Sequence, residues 1–161
     1  MQDNDAVSYA VTVERQDGQW SVRSFSDDFT NPSVAITAVR NLRAESAAFA
    51  LLCVDNEYFV IVRPGPKRNG FFLSDATMAV DDDFAAAILD EVGLEVPDID
   101  PADLDNIDGY ADGDFDILSD LGVTEELLTV LSENPDTWPA DALAEIADDL
   151  GFADELEAAT S

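Results

Sequence analysis

Every basic residue of this chain lies in its first 68 positions, and the segment from position 76 to 161 carries 26 carboxylates with no cation among them. Residues 1–75 hold ten acids and all seven bases (Arg15, Arg23, Arg40, Arg43, Arg63, Lys67 and Arg68), a net charge of −3; the rest carries −26. The second half therefore has no internal ion pairs to fold with. It depends on apolar stripes, on helix ends that favour negative charge, or on a partner. Adaptation to salt would spread acids over the whole surface, and the segregation argues against that explanation.

The apolar fraction of 47% is ordinary for a globular chain and too high for a disordered one. A length of 161 residues fits one domain with a small appendage. No apolar run reaches the roughly 18 residues of a membrane span. The acidic start Met1-Gln2-Asp3-Asn4-Asp5 is unlike a signal peptide, so a cytoplasmic location is expected. The chain has no histidine and a single cysteine, Cys53. That composition removes histidine-based nucleophile pairs and the common zinc sites. Cys53 sits within the apolar run Ala47–Val54 and reads as a small core residue. The expectation is a protein that is not an enzyme and uses no cofactor.

The pattern along the chain predicts an α+β fold. Val7, Tyr9, Val11 and Val13 alternate with smaller or polar residues, the signature of a half-buried strand. Asp17-Gly18 turns it into a second strand around Trp20–Arg23. Asn31-Pro32 opens a helix with Ala35, Ala38, Val39 and Leu42 on one face. The run 47–54 reads as a central strand, followed by Asp55-Asn56, a strand at Tyr58–Val62, a longer basic turn containing Arg63, Lys67 and Arg68, and a strand at Phe71–Leu73. A helix follows the Asp81–Asp83 run, with Phe84, Ile88 and Val92 on one face and Gly93 as its stop. The order β-β-α-β-β-β-α gives a mostly antiparallel five-stranded sheet with flanking helices. Longin and roadblock-type domains share that element order, a likeness of fold alone.

From Glu95 the composition changes. Aspartates recur at short intervals to Asp116, interrupted by Pro97, Pro101, Gly109 and Gly113, as in an extended, self-repelling linker. Beyond it, Thr124 caps a helix carrying Leu127, Leu128 and Leu131, Asn134-Pro135 breaks it, and Pro139 opens another that ends at Gly151. A short last turn holds Phe152 and Leu156. The expected organisation is a sheet domain (1–94), an acidic linker (95–116) and a small helical region (117–161). Such short helices need something to pack on.

Few residues suggest chemistry. A calcium loop needs glycine at its sixth position and glutamate at its twelfth; counted from Asp112, those are Ile117 and Val123. The basic turn reads as a solvated hairpin, and direct nucleic-acid binding would work against the acidic half. A catalytic acid would need an apolar pocket. The candidate partner-binding residues are Asp108, Tyr110, Asp112, Asp114, Phe115 and Asp116, aromatics set among acids that could anchor to a basic partner or fold back onto the sheet domain.

Several blocks together carry a resemblance: Asp55–Arg63, Phe72-Leu73-Ser74-Asp75, Leu94-Glu95-Val96-Pro97, Gly113–Gly122 and Leu150–Leu156. In order and spacing they resemble the actinobacterial family of tRNA adenosine deaminase-associated proteins, from about the first strand to the C-terminus. Members often carry basic residues just before the last block, where this chain has Asp148-Asp149. The resemblance implies an accessory role with the neighbouring deaminase as candidate partner. It does not imply the deaminase activity itself, because zinc deaminases need a histidine and a Cys-x-x-Cys pair. The leading expectation is an adaptor whose acidic half binds a basic protein. The alternative is an acidic mimic of nucleic acid that inhibits a tRNA- or DNA-binding protein.

Overall fold

Two left-handed turn pairs set the sheet in motion. Asp17 and Gly18 have φ of 55° and 79°, and Asp55 and Asn56 have φ of 53° and 51°. Two central residues with positive φ make the tight turn whose twist matches paired strands, and Asn, Asp and Gly tolerate that conformation best. A computed structural model describes residues 8–43, 47–66, 68–106, 109–134 and 136–160. Val7, Lys67, Asp108 and Pro135, each singled out by the sequence pattern, lie outside the described residues.

The first turn joins β1 (Tyr9–Gln16) to β2 (Gln19–Ser24), and the second joins β3 (Ala48–Val54) to β4 (Tyr58–Arg63). Helix α1 (Ser33–Arg40) bridges β2 and β3, its first turn held by Asn31 Oδ1, which accepts from Ser33 N at 2.9 Å. β5 is Gly70–Leu73, and a 3₁₀ turn at Ala76–Val80 leads to α2 (Asp83–Glu91). Asp82 caps α2 by accepting from the backbone N–H groups of Phe84 and Ala85. A 3₁₀ turn at Pro101–Asn106 precedes β6 (Asp112–Gly113), and α3 (Glu125–Glu133), α4 (Pro139–Leu150) and α5 (Ala153–Thr160) complete the chain.

The sheet is antiparallel throughout, in the order β2-β1-β3-β4-β5-β6. It therefore has six strands rather than five. The sixth comes from the aspartate-rich stretch, where Gly113 pairs with Phe72 and Asp112 with Leu73. No local hydrophobic pattern announces a two-residue strand; it exists because the edge of β5 offers unpaired backbone groups.

Alternation along the strands builds two cores. Ala50, Leu52, Val60, Val62, Phe71 and Leu73 face α1 and α2. Val13, Phe49, Leu51, Ile61 and Phe72 face the other way, onto Leu118, Leu128, Leu143, Ile146 and Phe152 of the C-terminal region. The molecule is thus three layers, helices over both faces of one sheet. β1 is covered on both sides, whereas its alternation suggested a half-buried strand. The residues around Phe152 and Leu156 form the eight-residue helix α5, longer than a last turn, and α5 packs over β2 and β1.

Two contacts seat the C-terminal layer. Phe152 is fully buried with its ring 5.1 Å from Trp20 and 6.1 Å from Phe49. Asn56, in the β3–β4 turn, accepts from Ala140 N at 2.9 Å through Oδ1, satisfying an N–H that the start of α4 leaves open.

Candidate functional site

The acidic tract is held against the sheet by backbone and by arginines. Tyr110 O accepts from Ala76 N at 2.7 Å, and Asp114 N donates to Phe71 O at 2.7 Å. Asp114 returns the contact through its carboxylate, which accepts from Phe71 N at 3.0 Å and from Arg68 Nη2 at 2.7 Å. Gly113 is at φ 114°, and a Cβ there would stand 2.5 Å from Phe71 O. Only glycine lets the tract approach so closely. A few residues on, Arg63 forks onto Asp120 (2.6 and 3.0 Å) and also donates to Ile117 O. Those bonds hold the Asp120 carboxyl below the usual carboxylate range.

The basic turn was expected to be solvated. Instead, two of its arginines close the acidic tract onto β4 and β5, in pairs 46 and 57 residues apart in sequence. Their partners were out of reach of any sequence-local argument. The pairs are largely surface ones, so they position the tract more than they stabilise the fold.

The candidate partner-binding residues divide on inspection. Phe115 lies half-buried, edge-on to Phe72 at 5.2 Å between ring centres, and belongs to the core beneath the C-terminal helices. Asp114 is occupied by Arg68 and Phe71 N. Asp112 sits in β6 and accepts from Gly113 N, while Asp116 is exposed with its carbonyl accepting from Ser119. Tyr110 keeps an exposed ring. Asp108 is outside the described residues.

The outward face of the C-terminal layer is where free negative charge collects. Glu125, Glu126 and Glu133 on α3, Asp136 beyond it, Asp141, Glu145, Asp148 and Asp149 on α4, and Asp154, Glu155 and Glu157 on α5 are all exposed. The inward residues of α4 (Ala142, Leu143, Ile146, Ala147) are all buried. This is the division of an amphipathic helix whose apolar stripe seats on the sheet and whose polar stripe faces solvent. Two large apolar side chains break that polar surface: Val130, 58% exposed on α3, and Trp138, 49% exposed in the α3–α4 connection. Of the α3 leucines that the sequence pattern groups, Leu128 and Leu131 are buried and Leu127 is half-buried; the pattern gave no signal that Val130 and Trp138 would be left outside.

Other titratable groups carry less. Cys53 is buried, and desolvation raises its thiol to about 11, so a thiolate is strongly disfavoured there. Tyr58 donates to Asp82 at 3.0 Å, and burial raises its hydroxyl further. Asp27 stands in an open cleft beside Phe25 and Phe29. One of its carboxylate oxygens accepts from Phe29 N at 2.8 Å, the other is buried without a partner, and desolvation raises its pKa. A second acid, Asp28, borders the same cleft. Among the described residues, no group of three or more acids or thiols is gathered as a metal cage. No described helix is long and apolar enough to cross a membrane.

Comparison with known proteins places these features in a lineage. The pattern of the family described as Rv3753c-like tRNA adenosine deaminase-associated protein matches residues 8–153. Protein Rv3753c of Mycobacterium tuberculosis (strain ATCC 25618 / H37Rv) is 42% identical over 151 residues, covering 93% of this chain and 86% of that protein. No solved structure matches. The matched span runs from β1 into the start of α5, sheet, acidic tract and C-terminal layer together, and the chain belongs to the Rv3753c-like family of tRNA adenosine deaminase-associated proteins.

Proposed function

We propose that this protein is a non-catalytic accessory factor of a tRNA adenosine deaminase, docking on a basic protein surface through the outer face of its C-terminal helices. The observation that carries this reading is the run of exposed carboxylates on α3, α4 and α5, a surface with no cation of its own. The family description supplies the candidate partner. Such a surface speeds encounter with a cationic partner and rejects anionic ones. The sequence supports the non-catalytic part: without histidine and with one cysteine, it lacks the residues that hold the zinc of a deaminase.

The test is copurification of the untagged deaminase with the tagged full-length chain at low ionic strength. Retention that disappears as salt is raised supports the proposal. Absence of the deaminase from the eluate at every salt concentration refutes its partner assignment.

A second reading, mimicry of nucleic acid, draws on Asp141, Glu145 and Asp148 being held along one stripe of a rigid helix. It predicts that the protein competes with tRNA for the deaminase, whereas an adaptor leaves tRNA binding unchanged. A tRNA-binding titration with and without the protein separates the two.

A further inference from the structure

Between α3 and α4 runs an open trough of about 710 Å³ whose two walls differ in chemistry. Leu127 of α3, with Val130 and Leu131 three and four residues further on, lines one side as an apolar stripe. Asp141, Glu145 and Asp148 of α4 line the other, at a spacing that puts all three on one stripe, with the small Ala144 between them. Asp136 closes one end.

Part of each wall belongs to the fold: Leu131 is buried in the core beneath, Leu127 packs against that core, and Asp141 stands in the first turn of α4, where a carboxylate is favoured. Val130, Glu145 and Asp148 are not accounted for in this way. Val130 is mostly exposed, and a β-branched side chain on a solvent-facing helical position is unfavourable in itself. Like charges three residues apart on a helix repel, so Glu145 and Asp148, beyond the first turn, weaken α4 in the free protein. The ion pairs among the described residues are Arg63–Asp120 and Arg68–Asp114, and none reaches the acids of this wall. A partner that brings positive charge to α4 and apolar side chains to the facing wall complements both.

We infer that the α3–α4 trough is the seat of a basic amphipathic helix of the partner protein, its apolar stripe on Leu127, Val130 and Leu131 and its cationic stripe on Asp141, Glu145 and Asp148. This rests on the accessory-factor reading above and gives it a specific surface. A helix suits the site better than an extended segment. The walls are helices with their backbone groups already paired, so no strand ladder is on offer, whereas an amphipathic helix presents anchors at the same three- and four-residue spacing. Binding relieves the repulsion along α4, so the partner helix stabilises the protein as well as docking on it.

The test uses the full-length chain and a fluorescein-labelled helical peptide of leucine and lysine, with leucines on one face and lysines on the other. A scrambled peptide of the same composition serves as control. Fluorescence anisotropy at low salt is expected to show the amphipathic peptide binding about tenfold more tightly than the scrambled one. Val130→Asp, and separately Glu145→Lys with Asp148→Lys, each weaken it by about tenfold. Glu155→Lys with Glu157→Lys on α5, which makes the same change of charge outside the trough, weakens it by less than about threefold. All of these positions are exposed, and circular dichroism checks that each variant is folded. Equal binding of the two peptides, or equal losses from the trough and α5 variants, overturns the assignment while leaving a diffuse acidic docking face intact. If the peptide fails to bind but the deaminase still copurifies, the trough assignment is wrong and the accessory role stands. If neither binds, both fall.

Discussion

Phe152 couples the C-terminal layer to the sheet, and its removal makes that coupling measurable. It is fully buried, tilted against Trp20 of β2 and edge-on to Phe49 of β3, contacts with two strands from the first third of the sequence. Truncation to alanine deletes a buried aromatic ring and leaves a cavity between helix and sheet, a change that typically costs about 3–5 kcal/mol. For a chain of this size each kcal/mol lowers Tm by about 2–4 °C, so Phe152→Ala should melt roughly 6–20 °C below the parent. The comparison is Val130→Ala, an exposed helical position expected to shift stability by no more than about 0.5 kcal/mol. The assay is thermal unfolding followed by circular dichroism, with urea titration to check that the m-value is unchanged. A Phe152→Ala protein that melts within about 2 °C of the parent would refute the reasoning. It would mean that the C-terminal helices do not share a core with the sheet.

Deleting everything after residue 94 uncovers Val11, Val13, Phe49, Leu51, Cys53, Phe59, Ile61 and Phe72, all at or near zero exposure. At about 1.5–3 kcal/mol for each large side chain, the loss is roughly 10–20 kcal/mol, comparable to the whole stability of a domain. The 1–94 fragment should bind a hydrophobic dye and show no cooperative melt; a sharp unfolding transition would establish it as an independent unit. Gly113→Ala meets both a left-handed backbone and Phe71 O, and should loosen β6. Hydrogen exchange at Asp114 N should then rise well above the parent, and unchanged exchange would show that β6 contributes no order there. For Asp27, burial raises the folded-state pKa, so the carboxylate opposes folding at neutral pH and the penalty fades as pH falls below the ordinary carboxylate range. Asp27→Asn keeps an oxygen for Phe29 N and should raise Tm at pH 7, with the advantage closing by about pH 3; an advantage that persists at acid pH is inconsistent with a titration effect.

The parts of this molecule that could be read along the chain are those governed by neighbours in sequence. Asp17-Gly18 and Asp55-Asn56 declare their turns because few residue types tolerate positive φ. Asn31, Asp82 and Thr124 declare helix starts because their side chains accept from backbone groups two or three residues on. The apolar periods of α3 and α4 name their inward residues for the same reason. Charge segregation is likewise a property of sequence, and it carries the idea of an acidic docking face.

Tertiary structure decided what depends on residues far apart. A strand of two residues forms only where another strand leaves an edge, so β6 has no signature of its own. Arg63 and Arg68 read as a solvated turn until the fold brings Asp120 and Asp114 to them. Phe115, one of the aromatics set among acids, finds Phe72 and becomes part of the core. Val130 and Asp141 lie in different helices, and only the packing of α3 beside α4 makes them two walls of one trough. Local pattern determines which side of an element is apolar; whether that side is covered, and by what, is set by long-range packing that no window of sequence contains.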